Sequence, residues 1–209
     1  GLSRLPSIWL ASAFLARQPD GMAQVALYAA ATNFRTLVMF VPWLINSVGL
    51  SILNNQRGIG DESRYRRVFW ANLASMTGAA VLGAIVIGFL APYVLRVFGK
   101  SFDQGSPVLL ILLVTTVPEA LLIAVYQIIQ SKEKMWLSLF TIVLPHDIAF
   151  VVLSFFWAPK WGAEGVAWAQ LACFSFSCLV VVALCWRIGL GLPKQPAPHL
   201  QSPNGRSNR

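Results

Sequence analysis

The stretch Val25 to Asn55, VALYAAATNFRTLVMFVPWLINSVGLSILNN, carries a single charged side chain, Arg35. Around it the residues are apolar or weakly polar for longer than the ~20 residues that a helix needs to cross a bilayer. Two later apolar stretches repeat the pattern with an acid near the middle, Glu119 in one and Asp147 in the other. A charge at bilayer depth costs at least about 2.5–3.5 kcal/mol on insertion scales, so such residues face a cavity or a partner and often mark a transport path. The chain reads as a membrane transporter or part of one.

Composition agrees. Of the 209 residues 56% are hydrophobic and 11% charged, against about 25% charged in a typical soluble domain, and the mean hydropathy is +0.64. The net charge of +8 would suggest nucleic acid in a soluble protein. Here the basic residues fall mostly in short connectors between apolar segments, a pattern of membrane topology, so no nucleic-acid partner is expected. Cys173, Cys178 and Cys185 share one apolar segment without a CxxC or a neighbouring His, and read as small buried hydrophobes.

Length and periodicity predict an all-α polytopic bundle of about six crossings over residues 1–186. A short run from Leu5 to Ala16 opens it, read as a helix truncated at its start. Longer helices are expected over Met22 to Leu53, Phe69 to Val97, Pro107 to Ile129, Trp136 to Trp157 and Val166 to Trp186. Turn and boundary residues mark the connectors Arg17 to Gly21, Asn54 to Arg67, Phe98 to Ser106, Gln130 to Lys134 and Ala158 to Gly165. The tail, residues 187–209, is rich in Pro, Gly, Ser and Asn and is expected to be disordered. Counting Lys and Arg on alternate sides gives eleven against four, which puts the tail and the Asn54 to Arg67 connector in the cytoplasm. Small residues at Ala71, Ser75, Ala79 and Gly83, and at Gly165, Ala169 and Ala172, predict close-packed seams.

At 100° per residue, Tyr28, Arg35 and Asn46 point within about 20° of one another and Thr32 lies beside them. These four are candidate substrate-binding residues, since a guanidinium held in a low-dielectric cavity suits the bidentate binding of a phosphate or diphosphate. An intramembrane ion pair from Arg35 to Glu119 or to Asp147 is the structural alternative. Both acids lie beside a proline, Pro118 and Pro145, and a kinked helix with a carboxylate and released carbonyls can form a cation or proton site, so Glu119 and Asp147 are candidate ion-coupling residues. His146 is read as structural. The Gly99, Lys100, Ser101 triplet lacks the earlier glycine of a phosphate-binding loop, and two histidines leave little for a hydrolase or metal centre, so neither catalysis nor a cofactor is expected.

The run Val25 to Asn55, then VFGKSFDQGSPVLLILL from Val97 to Leu113, then WGAEGVAWAQLACF from Trp161 to Phe174, resembles the polysaccharide flippases of the multidrug/oligosaccharidyl-lipid/polysaccharide exporter superfamily. The resemblance rests on the order and spacing of a small-residue patch around an aromatic, the mid-helix Pro42, an FG before the fourth helix and a GAEG opening of the last. It implies the second of two six-helix lobes around a central cavity, with an amino-terminal lobe of the same protein as partner. The implied function is the flipping of polyprenyl-diphosphate-linked oligosaccharide across a bacterial inner membrane for polysaccharide biosynthesis and export. The implied role of Arg35 is that of a cavity-facing basic residue. A cation-coupled multidrug exporter of the same superfamily is the alternative. From other classes, a membrane scaffold or a lipid-linked glycosyl enzyme would fit the composition, although the sequence has no large soluble loop for an enzyme.

Overall fold

The structure is a computed structural model that describes residues 4–59, 62–96, 105–131 and 139–187. The expected tail from residue 188 onward lies outside these. The described residues form α1 (Arg4–Ala16), α2 (Gly21–Ile59), α3 (Glu62–Arg96), α4 (Ser106–Ser131), a π-helical turn (Leu139–Val143) and α5 (Leu144–Arg187), with no strand among them.

Among the described residues, four helices are long and apolar enough to cross a membrane. Their surroundings require an apolar medium: the α3 span has a hydropathy of 2.1, yet only 11% of it is buried inside the protein. Phe89, Tyr93, Leu82 and Ile85 of α3 point outward, as do Leu179 and Phe176 of α5. A water-soluble fold would not leave a surface of this kind bare, whereas lipid solvates it.

α5 is two helices. Gly162 interrupts it with φ 55° and ψ −134°, and the chain reverses there. His146 Nδ1 lies 2.9 Å from Ser177 Oγ; a straight helix would hold residues this far apart in sequence separated by about 46 Å. The two arms of α5 therefore run antiparallel. A φ in the left-handed region is one that glycine adopts without steric cost, and Gln24 Oε1 accepts a hydrogen bond of 2.9 Å from the amide of Ala163, satisfying one donor at the start of the second arm.

The remaining helices alternate. Gly49 lies against Asn72 and Gly83 against Val38, so α2 and α3 run antiparallel. Gly88 faces Leu110 and Leu113 while Ala80 clusters with Ala120, so α3 and α4 do likewise. The Tyr28–Gln170 and Gln24–Ala163 hydrogen bonds make α2 and the second arm of α5 parallel. Leu15, Tyr28, Ala31, Leu95, Leu109, Phe150, Val166 and Ala169 belong to the main core, which joins α1, α2, α3, α4 and both arms of α5.

Two expectations are revised. The Asn54 to Arg67 connector is mostly helix, because α2 continues to Ile59 and α3 starts at Glu62; polar residues in helix ends that protrude from a bilayer carry no breaker except glycine. On α3 the seam is one residue round from the expected one. Asn72, Met76 and Ala80 are buried, while of the predicted set Ala71 and Ser75 are exposed, Ala79 is half-buried and Gly83 lies against Val38. The second seam is where it was expected, with Gly165 and Ala169 buried.

Candidate functional site: a buried ion pair across the bundle

Arg35 is the central residue of the Gly21–Gly49 span. Its side chain leaves the face of α2 that carries Ala31, Val38 and Met39 into the interior, and it is 9% exposed. Glu119 of α4 is 2% exposed. The Arg35 guanidinium donates from Nη2 to Glu119 Oε2, forming an ion pair. Pairing explains how both charges are tolerated at this depth, since an isolated one would be far more costly than a neutral pair.

The pair continues into a row of aromatic contacts. Arg35 Cζ sits 5.5 Å from the centroid of the Phe174 ring, within cation–π range. Phe174 also meets the His146 ring at 4.7 Å between centroids, and His146 lies within hydrogen-bond distance of Ser177. Residues of α4, α2 and both arms of α5 thus meet in a line across the bundle. About two turns before Arg35, the Tyr28 hydroxyl donates to Gln170 Oε1 at 2.8 Å. Thr32 stands between, its hydroxyl oxygen shielded from solvent and beside Tyr28. The Arg35 Nε–H is buried without a hydrogen-bond partner.

Of the two acids offered as partners for Arg35, the structure pairs Glu119. Asp147 is half-buried, next to His146 on the first arm of α5. Asn46 is also half-buried; it shares the azimuth of Arg35 but lies three turns, about 16 Å, further along α2. Tyr28, Thr32, Arg35 and Glu119 are brought together, while Asn46 stands apart from them. Thr115 and Tyr126, which share the face of Glu119, also turn inward, Thr115 donating to the Ile111 carbonyl at 2.9 Å. Sequence reasoning missed Gln24, Gln170, Phe174 and Ser177. Gln170 had a signal, being the one amide in its apolar helix; Phe174 had none.

α2 also has an outward polar face. Asn33, Thr36, Ser47 and Ser51 are exposed and project within about 60° of one another. The three hydroxyls are partly satisfied by the carbonyls of Thr32, Leu44 and Ser47, an arrangement that lipid tolerates. An exposed Asn33 amide near mid-span has no such local solution and favours water or a polar partner there. Among the described residues no group of three or more His, Cys, Asp or Glu side chains is placed to hold a metal. Searched against protein-family models, curated proteins and solved structures, the chain matches none of them.

Proposed function

We propose that this chain is the carboxy-terminal lobe of a transporter that flips polyprenyl-diphosphate-linked oligosaccharide across the bacterial inner membrane, with its carboxy terminus in the cytoplasm. The observation that carries the reading is the buried Arg35–Glu119 pair at the centre of the bundle. A protein that needed only to anchor or scaffold could fill these positions with Leu, because replacing a buried ion pair by apolar residues is often neutral or stabilising. A guanidinium kept at mid-membrane at this cost is suited to an anionic group that must pass that depth. The outward polar face of α2, with Asn33 near its middle, supports a water-filled cavity alongside.

In this reading Arg35 holds the diphosphate, with Tyr28 and Thr32 beside it and Asn46 further along the route. Glu119 or Asp147 couples the movement to an ion gradient, and rocking of this lobe against an amino-terminal one alternates access. The six segments would be α1, α2, α3, α4 and the two arms of α5.

The test is polymer export from cells carrying variants of the full-length protein, with the membrane level measured in parallel. Arg35→Ala should abolish export, and the Arg35→Ala, Glu119→Ala variant, which leaves neither charge of the pair in the membrane, should not restore it. Arg35→Lys keeps the charge but loses the planar fork, and should lower export by about 10- to 100-fold, the value of one charge-assisted hydrogen bond. Normal export by Arg35→Ala would exclude the diphosphate role.

A further inference from the structure

At the end of the bundle where α1 gives way to α2 and α5 turns at Gly162, α1 and the first arm of α5 leave a cleft of about 250 Å³ between them. Its walls are aromatic away from that end. Phe14 meets Phe155 edge-on at 5.4 Å between ring centroids, and Phe155 meets Phe156 at 5.4 Å. Pro159 and Gln18 stand nearer the turn, Gln18 donating from its amide to the Phe14 carbonyl at 3.3 Å. The exposed Arg17 completes the lining. Lys160, also exposed, follows Phe156 by four residues and so stands on the same face of its helix, at the aqueous end of the cleft. We propose that this cleft holds one anionic phospholipid, with Arg17 and Lys160 at its phosphate and an acyl chain along Phe14, Phe155 and Phe156.

Depth favours a lipid over a soluble anion. Trp161, more than half exposed, stands beside Gly162 at the turn, and indole rings at helix ends prefer the headgroup region. Phe155 lies seven residues before Gly162, about 10 Å further along the helix, so the cleft runs from headgroup level into the acyl layer. Phe155 and Phe156 are more than half exposed there, an apolar wall that a chain would cover. Charge selects the kind of lipid. Among the described residues neither Arg17 nor Lys160 has an ion-pair partner, and the two acids at this end, Asp20 and Glu164, pair with nothing and do not line the cleft. Two uncommitted cations at the mouth of one apolar cleft fit a headgroup of net negative charge, whereas a zwitterionic headgroup would bring its own cation against them. The site stands apart from the Arg35–Glu119 pair at mid-span and does not depend on the transport reading.

The experiment is native mass spectrometry of the full chain, released from micelles that contain equal amounts of phosphatidylglycerol and phosphatidylcholine. The wild type should retain one more phosphatidylglycerol than the Arg17→Gln, Lys160→Gln variant, and its preference for that lipid over phosphatidylcholine should fall about fivefold with each charge removed. Both side chains are exposed, so the fold should tolerate their loss. The difference of one lipid should persist when Arg64→Gln and Arg66→Gln, at the other end of the bundle, are added to both proteins. Glycerophosphoglycerol, the headgroup without its chains, should not compete at equal concentration. Equal retention and equal preference in wild type and double variant would overturn the proposal, as would retention of phosphatidylcholine as readily as phosphatidylglycerol, which would leave only bulk lipid in the cleft. A difference that vanishes in the Arg64→Gln, Arg66→Gln background would reduce it to diffuse attraction and overturn it. Competition by the free headgroup would leave an anion site without a lipid, and a dimer appearing in place of the bound lipid would give the cleft to a second copy; either refutes the phospholipid.

Discussion

At the scale of single residues, Arg35 and Glu119 must be judged as a pair, because removing Glu119 takes the ion-pair partner from a buried guanidinium. Glu119→Ala should lower stability by about 3–5 kcal/mol, while the Arg35→Ala, Glu119→Ala double variant should recover most of that loss, since no unpaired charge remains. Thermal unfolding in nanodiscs measures the stability, and polymer export in cells separates the roles. If the pair is only structural, the double variant regains export with stability; if Arg35 holds substrate, it regains stability alone. Tyr28→Phe leaves Gln170 Oε1 without its donor and should cost about 1–3 kcal/mol. The pair was half legible in the sequence. An ionisable side chain in an apolar stretch announces that it needs a partner, but helix periodicity gives only a direction, so Glu119 and Asp147 remained equal until the structure set Glu119 beside Arg35. Asn46 shows the same limit, pointing the same way as Arg35 at a different depth. Phe174 was illegible because an aromatic in an apolar helix is indistinguishable from ordinary packing until a cation lies against it.

At the scale of elements, the reversal in α5 is the feature that sets the site, since it folds His146 back onto Phe174 and Ser177. Its sequence signal, APKWGAEG, was visible as a connector. What was not visible is its brevity: only Gly162 leaves helical geometry, and Pro159 sits within the preceding helix. Gly162→Ala should destabilise the protein by about 1–3 kcal/mol, because the residue is held at positive φ. A Cβ there would also come within 2.7 Å of Gln24 Oε1. Gln24→Ala should cost about 0.5–2 kcal/mol through loss of the cap on Ala163. The two should be less than additive in the double variant, since a shortened residue 24 removes the clash while the backbone strain stays. Thermal unfolding of the three variants checks this, and full additivity would mean that residue 24 does not touch the turn. The lengths of α2 and α3 were underestimated for a related reason. Hydropathy marks where a helix leaves the apolar layer, whereas helical hydrogen bonding continues beyond it, as far as Ile59 in α2. The α3 seam was misplaced by one residue because small side chains mark where helices can approach, and on this helix the larger Asn72 and Met76 fill the contact instead.

At the scale of the whole molecule, helix directions and charge distribution can be set against each other. The contacts of Gln24 with Ala163 put the start of α2 and the turn of α5 at one end of the bundle. The end of α2 and the start of α3, with Arg64, Arg66 and Arg67 exposed, lie at the other. From Gln24 to Ile59 a helix is about 52 Å long, longer than the roughly 30 Å hydrocarbon layer, so the two ends belong to opposite aqueous sides. The positive-inside rule predicts that the Arg64 end is the cytoplasmic one. Lys160, exposed and two residues before the turn, should then face the periplasm. In a background with Cys173, Cys178 and Cys185 replaced by Ala, Lys160→Cys should react with a membrane-impermeant maleimide in intact cells whose outer membrane is permeabilised. Arg64→Cys should stay unlabelled until the inner membrane is opened. The pair tests direction and crossing together, because the two residues sit on different helices whose relative orientation is fixed by Gln24, Tyr28 and Gly162. Equal labelling of both positions in intact cells would place both ends on one side, which α2 and α3 cannot satisfy as spanning helices. Reversed labelling would keep the fold and invert the bundle, leaving Arg64, Arg66 and Arg67 on the outer face against the charge rule.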